Sequence, residues 1–410
     1  MTFTEELKAR GLVEQSSADL EKILSTKRTV YLGVDPSADS MQAGNLVVIL
    51  MMRRLAMAGH KIILLVGGGT GMIGDPRESG ERSLPEPKVV AKNKKALKAQ
   101  MQKIVGAKVM LVDNADWLLK IKLVEFLRDI GKHFTVNELV KRDIIRRRLE
   151  TPDESISYTE FAYSLLQGYD YMMLNQKHGA DLQIGGNDQW TNLLSGVELI
   201  RRKQSKEAFV FTVPLVTDAA GKKFGKSEGN AIWLDAKKTS PYQFYQFWLN
   251  QPDEVVERYL KMYSFIPLEG IDELMQKHRE NPGAREAQET LARVVTELVH
   301  GPAAAATAAA ASSALFGGDL ANLPPEAKSV VLAEAPTLKT SVGTPVLDAL
   351  VESGLASSKS EARRLIEAKG VSVNGKVVES ADQALTASDF VNGLGLMKKG
   401  KRDICVLVAK

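Results

Sequence analysis

Short apolar runs that end in polar turns alternate with longer apolar runs of helical periodicity over the first half of the chain. RTVYLGV (28–34) and KIILLVGG (61–68) predict buried strands, and LVVILMMRRLAMAGH (46–60) between them predicts a helix. AKVMLVDNADW (107–117) and ADLQIGGNDQW (180–190) repeat the pattern of a strand that runs into a polar turn. A strand, a helix and a strand within about 40 residues form a βαβ unit, so the sequence predicts a parallel sheet.

The polar turns are where a ligand is expected, because ligands of open parallel sheets bind at the carboxyl ends of the strands. Residues 4–26 have the pattern of an amphipathic helix, and residues 118–179 are mostly helical and predict an insertion between two halves of the sheet. Together these features predict an α/β, Rossmann-like catalytic domain that binds a nucleotide and covers residues 1–231.

The pattern changes after residue 232. Helical periodicity and the alanine-rich run PAAAATAAAASSALF (302–316) predict an α-helical domain over residues 232–316, because alanine is the best helix former. Residues 317–344 contain glycine, proline and threonine with weak periodicity and predict a linker. Residues 345–410 predict a small α+β domain with two short helices, a hairpin around the Asn-Gly pair of VSVNGKVV (371–378) and a final strand.

Composition narrows the class of protein. A length of 410 residues predicts two to three domains, and 44% hydrophobic with 25% charged residues is typical of a globular chain. The single cysteine, Cys405, excludes a disulfide framework and a cysteine-based zinc site. No run of about 18 uncharged apolar residues occurs, and the first residues do not have the pattern of a signal peptide. We therefore expect a cytoplasmic protein that does not contact a membrane.

The sequence can be compared with two known glycine-rich patterns for nucleotide binding. GTGMIG (69–74) has the spacing of a dinucleotide-binding turn, but Asp75 and Pro76 follow at once and block the helix that an NAD site requires. No stretch matches G-x-x-x-x-G-K-[ST], which excludes the P-loop class. The classical NAD and P-loop sites are therefore poor explanations of this chain.

Two other stretches are better candidates for nucleotide chemistry. SADSMQAGNLVV (37–48) leads into a helix, whose first N–H groups attract phosphate, and Gly44 would allow close approach of a nucleotide. A plain capped turn explains this stretch about equally well. GKKFGKSEGN (221–230) is a lysine-rich loop, and such clusters are usually only solvated. Its place directly after FTVPLVTD (211–218) favours a loop that closes over the pyrophosphate of ATP.

Several motifs resemble one enzyme family. KFGKS (223–227) is similar to the KMSKS-type loop of class I aminoacyl-tRNA synthetases, and SMQAGNL (40–46) falls where their HIGH-type motif lies. Five further stretches resemble bacterial tyrosyl-tRNA synthetases in particular: LVGGGTGMIGDP, FLRDIGKHFTVN, FAYSLLQGYDY, LQIGGNDQWTN and TSPYQFYQFWLN. The resemblance extends from about residue 4 to the C-terminus, and residues 345–410 resemble the RNA-binding module that ends these enzymes.

The resemblance implies activation of L-tyrosine with ATP and transfer of tyrosine to the 3′ end of tRNA(Tyr). It implies that Tyr31 and Asp170 hold the phenol; a carboxylate only accepts hydrogen bonds and so requires a hydroxyl. Asn114 and Trp117 fall where the family has polar and packing support. The residues implied around the tyrosine ammonium group are Asp75, Tyr163, Gln167 and Gln189. Those implied to bind ATP are Gly33, Asp35, Ser37, Gly44, Gly185, Asp188 and Lys226. The catalytic residues implied are Gln42, Asn45, Arg82, Lys223, Lys226 and Ser227.

The resemblance also implies partners. Mg²⁺ is expected to accompany ATP, without a dedicated set of protein ligands. The basic runs KRDIIRRRLE (141–150) and LIRRKQSK (199–206), the second of which contains Arg201 and Arg202, suit tRNA phosphates, although a solvated helix face explains each arginine nearly as well. In the family the acceptor stem lies on one subunit and the anticodon on the other, which implies a homodimer in which residues 232–316 bind the anticodon.

The chain departs from the family at the HIGH-type motif, where Gln42 and Asn45 replace two histidines. Both amides can donate hydrogen bonds, but neither becomes cationic, so we expect an active enzyme with a weaker hold on ATP. Three alternatives remain: a tryptophanyl enzyme, an inactive RNA-binding paralogue and a cofactor-forming nucleotidyltransferase. Tyr31 with Asp170 argues against the first, KFGKS with the tyrosine set against the second, and two RNA-suited domains against the third.

Overall fold

A computed structural model of the chain describes residues 1–76, 85–106, 108–221, 224, 231–317, 320, 322–400 and 403–410. The chain divides into two compact units, which are described separately. The first unit, called the sheet unit, contains Met1–Lys238 and Pro252–Ala287. The second, called the C-terminal unit, contains Thr239–Gln251 and Gln288–Lys410. None of the described helices combines the length and the apolar character needed to cross a membrane.

The helices and strands are numbered separately along the chain. In the sheet unit the strands are β1 Thr29–Val34, β2 Lys61–Val66, β3 Val109–Asp113, β4 Leu182–Gly186 and β5 Phe209–Val213. Its helices are α1 Phe3–Ala9, α2 Leu20–Leu24, α3 Ala43–Met57, α4 Pro87–Val105, α5 Ala115–Leu118, α6 Leu123–Asp129, α7 Val136–Leu139, α8 Asp143–Glu150, α9 Tyr158–His178, α10 Trp190–Gln204, α12 Asp253–Tyr263 and α13 Leu268–Glu280.

The C-terminal unit follows the same numbering. Its helices are α11 Pro241–Leu249, α14 Glu286–His300 (whose first two residues are assigned to the sheet unit), α15 Pro302–Gly317, α16 Pro325–Glu334, α17 Val346–Glu352 and α18 Lys359–Glu367. Its strands are β6 Thr337–Thr340, β7 Val371–Val373, β8 Lys376–Val377, β9 Leu394–Lys399 and β10 Asp403–Ala409.

The sheet unit is built on a five-stranded parallel sheet, which confirms the predicted fold class. The strand order is β3-β2-β1-β4-β5, so the chain order reverses beside β1, between β1 and β4. Both faces of the sheet are covered, which is why its strands read as continuous apolar runs. A reversal of strand order opens a crevice at the carboxyl ends of the two strands concerned, and this is where ligands bind in such folds.

The predicted helix over residues 4–26 is wrong, because the segment forms two short helices, α1 and α2. Gly11, with φ of +66°, follows the end of α1 in a left-handed conformation. The backbone of residues 14–17 then pairs along β5, with the Glu14 N–H donating to the Thr212 carbonyl at 2.9 Å. The backbone N–H and C=O groups of residues 14–17 therefore pair with the edge of the sheet and do not continue a helix. Apolar periodicity alone does not reveal that contact.

Residues 252–287 pack with the sheet unit, although the sequence predicts a domain boundary at residue 232. The Tyr263 hydroxyl at the end of α12 donates to the Ala43 carbonyl at 3.3 Å. The buried Arg10 side chain, which follows α1, donates to the Ile266 carbonyl at 2.7 Å. These contacts join segments that lie far apart in sequence, so composition could not place them in one unit.

The C-terminal unit contains a helical part and a small mixed sheet of order β6-β10-β9-β7-β8. The predicted Asn-Gly turn is confirmed: Asn374 and Gly375 have φ of 47° and 78° between β7 and β8. The predicted linker over 317–344 differs from the structure, because it contains α16 and β6. Strand β6 pairs in parallel with β10, at the other end of the domain's sequence, which local periodicity cannot show.

Candidate active site

A cleft of about 330 Å³ opens at the carboxyl ends of β1 and β4, where the strand order reverses. The structure places there most of the residues that the resemblance implies: Tyr31, Gly33, Asp35, Ser37, Gln42, Gly44, Asn45, Asp75, Tyr163, Gln167, Asp170, Gly185, Asp188 and Gln189. Arg201 and Arg202 lie elsewhere, on α10. Arg82, Lys223, Lys226 and Ser227 lie outside the described residues.

Asp170 lies at the floor of the cleft, where its carboxylate is 3% exposed. Trp117 donates its indole N–H to Oδ1 at 2.7 Å, and Asn114 donates its amide to Oδ2 at 2.8 Å. Both donors come from the polar turn after β3, so this turn orients the carboxylate. Burial raises the pKa of Asp170, and the hydrogen bonds from Asn114 and Trp117 oppose that shift because they stabilise the ionised carboxylate.

The Tyr31 hydroxyl lines the same cleft from the middle of β1. Its side chain is 1% exposed, and the hydroxyl has no hydrogen-bond partner among the described residues. A buried polar group left without a partner costs about 1–3 kcal/mol, and such groups in folded proteins call for an explanation. Burial raises the pKa of Tyr31 well above its usual value, so the group stays a neutral donor and acceptor. A ligand hydroxyl would satisfy it.

Asp35 follows β1 and is held by two hydroxyl donors. Tyr163 donates to Oδ2 at 2.8 Å and Thr70 donates to Oδ1 at 2.6 Å. The resemblance implies an ammonium contact for Tyr163 and an ATP contact for Asp35, and the structure joins these two positions by a direct hydrogen bond. Asn114 also donates to Thr70 Oγ1 at 2.8 Å, so one network links Asp35 to Asp170.

Sequence reasoning missed Thr70, although a signal was present. Thr70 is buried and belongs to the GTGMIG stretch that fails as a dinucleotide-binding turn. The preceding Gly67 shows why this turn is glycine-rich: a Cβ there would lie 2.1 Å from Asp35 Oδ1 and 2.2 Å from Thr70 Oγ1. The glycine therefore makes room for the Asp35–Thr70 pair rather than for a dinucleotide.

Asp75 forms a second anchored carboxylate at the wall of the cleft. Gln189 donates to its Oδ2 at 2.8 Å and Asn192 donates to its Oδ1 at 3.0 Å. Gln167 faces the same cleft, and its buried Oε1 has no hydrogen-bond partner among the described residues. Asn192 is a second residue that sequence reasoning missed; it is the last residue of the quoted LQIGGNDQWTN stretch.

The start of α3 carries the two replaced histidine positions. Gln42 precedes the helix, and its backbone N–H donates to Asn45 Oδ1 at 3.2 Å. Because the oxygen of the Asn45 amide is used in this way, its NH₂ end is the part that can donate toward the cleft. Asn45 thus caps the helix and supplies a donor at the same time.

The helix start offers fewer free backbone donors than the sequence suggests. The Ala43 N–H donates to the Ile232 carbonyl at 2.8 Å, and the Met41 N–H donates to Gln100 Oε1 at 2.8 Å. The space beside Gly44 is also taken, since a Cβ there would lie 2.8 Å from the Phe224 carbonyl oxygen. The absence of a side chain at Gly44 therefore makes room for the backbone of Phe224.

Arg201 and Arg202 lie near the end of α10 and share one carboxylate. Arg201 Nη2 lies 2.6 Å from Glu198 Oε1, and Arg202 also contacts Glu198. The Arg201 hydrogen bond, with Arg202 beside it, lowers the pKa of Glu198 to about 2. In the other basic run, Arg148 is buried against Glu160 at 2.9 Å, so this arginine does not form the expected phosphate-binding surface.

The donor set around the cleft does not form a metal cage. Within the described ranges, no group of three or more histidine, cysteine, aspartate or glutamate residues is arranged to hold a metal ion. Asp35, Asp75 and Asp170 each accept hydrogen bonds from neighbouring side chains. Each of these carboxylates is thus oriented by neighbouring donors, and its oxygens keep lone pairs that can accept from a ligand.

The chain is similar to known proteins over nearly its whole length. Residues 25–317 match the sequence profile described as tRNA synthetases class I (W and Y), and residues 345–391 match the S4 domain. The chain is 45% identical over 422 residues to a tyrosine–tRNA ligase of Lactococcus lactis, with 99% of this chain and 100% of the relative covered. It is 43% identical over 419 residues to that of Streptococcus mutans, with the same coverage.

Solved structures show the same similarity. A C-terminally truncated mitochondrial tyrosyl-tRNA synthetase of Aspergillus nidulans is 31% identical, with a TM-score of 0.69, and covers 77% of this chain and 94% of its own. A tryptophanyl-tRNA synthetase of Encephalitozoon cuniculi shares the fold at 15% identity, with a TM-score of 0.55, and covers 73% of this chain and 86% of its own.

Proposed function

Because this chain belongs to the class I tRNA synthetases of the tryptophan and tyrosine type, we propose that it activates L-tyrosine with ATP and transfers it to tRNA(Tyr). The observation that carries the choice of tyrosine is the floor of the cleft. There an oriented carboxylate, Asp170, accompanies the buried Tyr31 hydroxyl, to which no described residue gives a hydrogen bond. A phenol donates to the first and accepts from the second.

The same floor disfavours other amino acids. Phenylalanine has no hydroxyl and would leave the buried Tyr31 hydroxyl without a ligand partner, at a cost of about 1–3 kcal/mol. It would also make no hydrogen bond to Asp170. An indole N–H can donate to Asp170 but cannot accept a hydrogen bond from Tyr31. Tyrosine alone among these aromatic side chains satisfies both groups. The ammonium group is assigned to the wall formed by Asp75, Tyr163 and Gln167, which also lines the cleft.

The activation step needs no protein nucleophile. A tyrosine carboxylate oxygen attacks the α-phosphorus of ATP; the new P–O bond forms as the bond to the bridging oxygen of pyrophosphate breaks, and pyrophosphate leaves with that electron pair. Catalysis then depends on positioning and on donors aimed at the developing charge. Asn45 lies at the helix start beside the cleft and is assigned such a donor role, while Gly185 and Asp188 are assigned to the adenosine.

The transfer step uses the tRNA itself. The 2′- or 3′-hydroxyl of the terminal adenosine attacks the tyrosyl carbonyl carbon and passes its proton to a phosphate oxygen of the departing AMP, which leaves with the electrons of the broken acyl–phosphate bond. For the pyrophosphate that is released in the activation step, the family resemblance assigns four residues: Lys223, Lys226, Ser227 and Arg82. Mg²⁺ is assigned to ATP as part of the substrate.

The tRNA contact is assigned to Arg201 and Arg202, and to the S4 domain at residues 345–391. Replacing both arginines with alanine is expected to raise the KM for tRNA several-fold and to reduce the salt dependence of tRNA binding by about two phosphate contacts. Glu198→Gln is expected to act in the opposite direction, because that carboxylate competes for both guanidinium groups. Aminoacylation at several salt concentrations tests both changes; an unaltered KM in the double variant would contradict this assignment.

A homodimer is assigned from an apolar surface of the helical insertion. On α6, Leu123 and Val124 are 71% and 75% exposed, and Leu127 one turn later is 44% exposed. Neighbouring exposed apolar side chains of this kind mark protein interfaces. A monomer in sedimentation equilibrium at micromolar concentration would contradict the assignment.

The cytoplasm is the assigned location, because tRNA charging for translation takes place there.

Tyrosine-dependent pyrophosphate exchange tests the proposed function. Purified protein with ATP and Mg²⁺ is expected to incorporate labelled pyrophosphate into ATP with tyrosine and to show little exchange with phenylalanine or tryptophan. Exchange with tryptophan instead would identify the sister enzyme. The absence of exchange with all three, from a folded protein, would support the inactive RNA-binding alternative and overturn the proposal.

A further inference from the structure

Arg142 precedes α8 and turns inward, although it belongs to the basic run 141–150 expected on the tRNA side. Its Nη1 donates to Asn192 Oδ1 at 2.8 Å, and its Nη2 donates to Ser195 Oγ at 2.6 Å. Burial lowers the pKa of Arg142 to about 10, and the nearby Asp75 carboxylate opposes that shift. The guanidinium is therefore committed to the protein interior behind the cleft.

The hydrogen bond from Arg142 decides which way the Asn192 amide points. A guanidinium has donors only, so it requires the amide oxygen of Asn192 and leaves the NH₂ group on the other side. That NH₂ group donates to Asp75 Oδ1 at 3.0 Å and to Gln189 Oε1 at 3.1 Å. Gln189 in turn donates to Asp75 Oδ2 at 2.8 Å, so both oxygens of Asp75 are held by amides of fixed orientation.

The position of the Asn192 amide between Arg142 and Asp75 has an electrostatic consequence. Both terminal nitrogens of Arg142 donate to Asn192 and Ser195, so the hydrogen-bonded connection from the guanidinium to Asp75 runs through the neutral Asn192 amide. A neutral donor orients a carboxylate without cancelling its charge, whereas a direct ion pair would compete with a cationic ligand. The arrangement suits a carboxylate that must bind an ammonium group at the wall of the cleft.

We propose that Arg142 is a positioning residue for the α-ammonium group of tyrosine, acting through Asn192 on Asp75. This inference rests on the proposed function, because it assumes that tyrosine occupies the cleft. It assigns to one arginine of the basic run a role in amino-acid binding in place of tRNA binding.

Two matched ligands test the proposal: tyrosinol, which carries the ammonium group, and 3-(4-hydroxyphenyl)propan-1-ol, which lacks only that group. Arg142→Met is expected to weaken tyrosinol binding about tenfold and to change binding of the deamino ligand less than about twofold. The KM for ATP should stay within about twofold as well. Arg142→Lys, which keeps one donor, is expected to recover part of the affinity for tyrosinol.

Asn192→Ser breaks the same connection without removing the charge, and it serves as a second variant if Arg142→Met does not fold. It is expected to show the same selective loss for tyrosinol. Equal losses for the two ligands, or no loss for either, in a variant with an unchanged thermal transition would overturn the proposal. Wild-type protein that fails to exchange pyrophosphate with tyrosine would instead overturn the proposed function.

Discussion

Asp170→Asn is expected to lower kcat/KM for tyrosine in pyrophosphate exchange by about 10²- to 10⁴-fold. The asparagine offers one acceptor oxygen where the carboxylate offers two. Its NH₂ group would face the N–H donor of either Trp117 or Asn114, and two donors cannot form a hydrogen bond with each other. The substrate phenol also loses its charged acceptor. Each of these two losses costs about 1.5–3 kcal/mol, and tenfold corresponds to about 1.4 kcal/mol.

Asp116→Asn provides the matched control for this variant. Asp116 lies on α5 directly before Trp117, but its side chain is exposed and does not line the cleft. It is expected to leave kcat/KM within about twofold, because exposed surface substitutions have small effects. Kinetics with tyrosine, with thermal unfolding of both variants, would separate a pocket effect from misfolding. A folded Asp170→Asn protein with ordinary tyrosine kinetics would refute the assigned pocket.

Asn45→Asp is expected to reduce kcat for activation by about 10²- to 10³-fold while leaving the fold as stable as before. The aspartate keeps an oxygen that can accept the Gln42 N–H, and a negative charge at a helix start contributes about 0.3–1 kcal/mol. It removes the NH₂ donor, however, and presents a carboxylate to the triphosphate. Loss of one donor at a site of developing charge typically costs this much in kcat.

Asn45→His is the control for that prediction, because imidazole restores a donor at the position where the family carries histidine. It is expected to retain activity within a few-fold of the wild type. Stopped-flow measurement of adenylate formation, with the KM for tyrosine determined in parallel, would report the two effects separately. If Asn45→Asp forms adenylate at the wild-type rate, Asn45 has no role in stabilising the transition state.

Some of the structure could be predicted from local pattern alone. Strands β1 and β2 are apolar runs of six residues whose central residues are buried, so their composition reveals them without knowledge of their partners. The Asn-Gly hairpin is likewise local, because two residues with positive φ are enough to define it. The cleft followed from the same pattern, since polar turns after parallel strands collect at one edge.

Other features depended on partners distant in sequence, and these are where prediction failed. The segment after α1 joins the edge of β5, and β6 pairs with β10 across most of the C-terminal domain. Arg142 and Arg148 look like surface cations in the sequence, yet both point into the protein. The hydrophobic periodicity of a segment shows which of its residues face the core. It does not show which distant donors or acceptors will hydrogen-bond to its polar groups.

The sequence by itself determined strands β1 to β4, the Asn-Gly hairpin and, through the family resemblance, most of the side chains that line the cleft. Only the tertiary structure decided how those side chains are held. Asn114 donates a hydrogen bond to Asp170 and Tyr163 donates one to Asp35. Arg142 donates to Asn192, which in turn donates to Asp75. The physical reason is that burial patterns are written along the chain, whereas a buried polar group takes its orientation from whichever distant donor or acceptor the fold brings within about 3 Å.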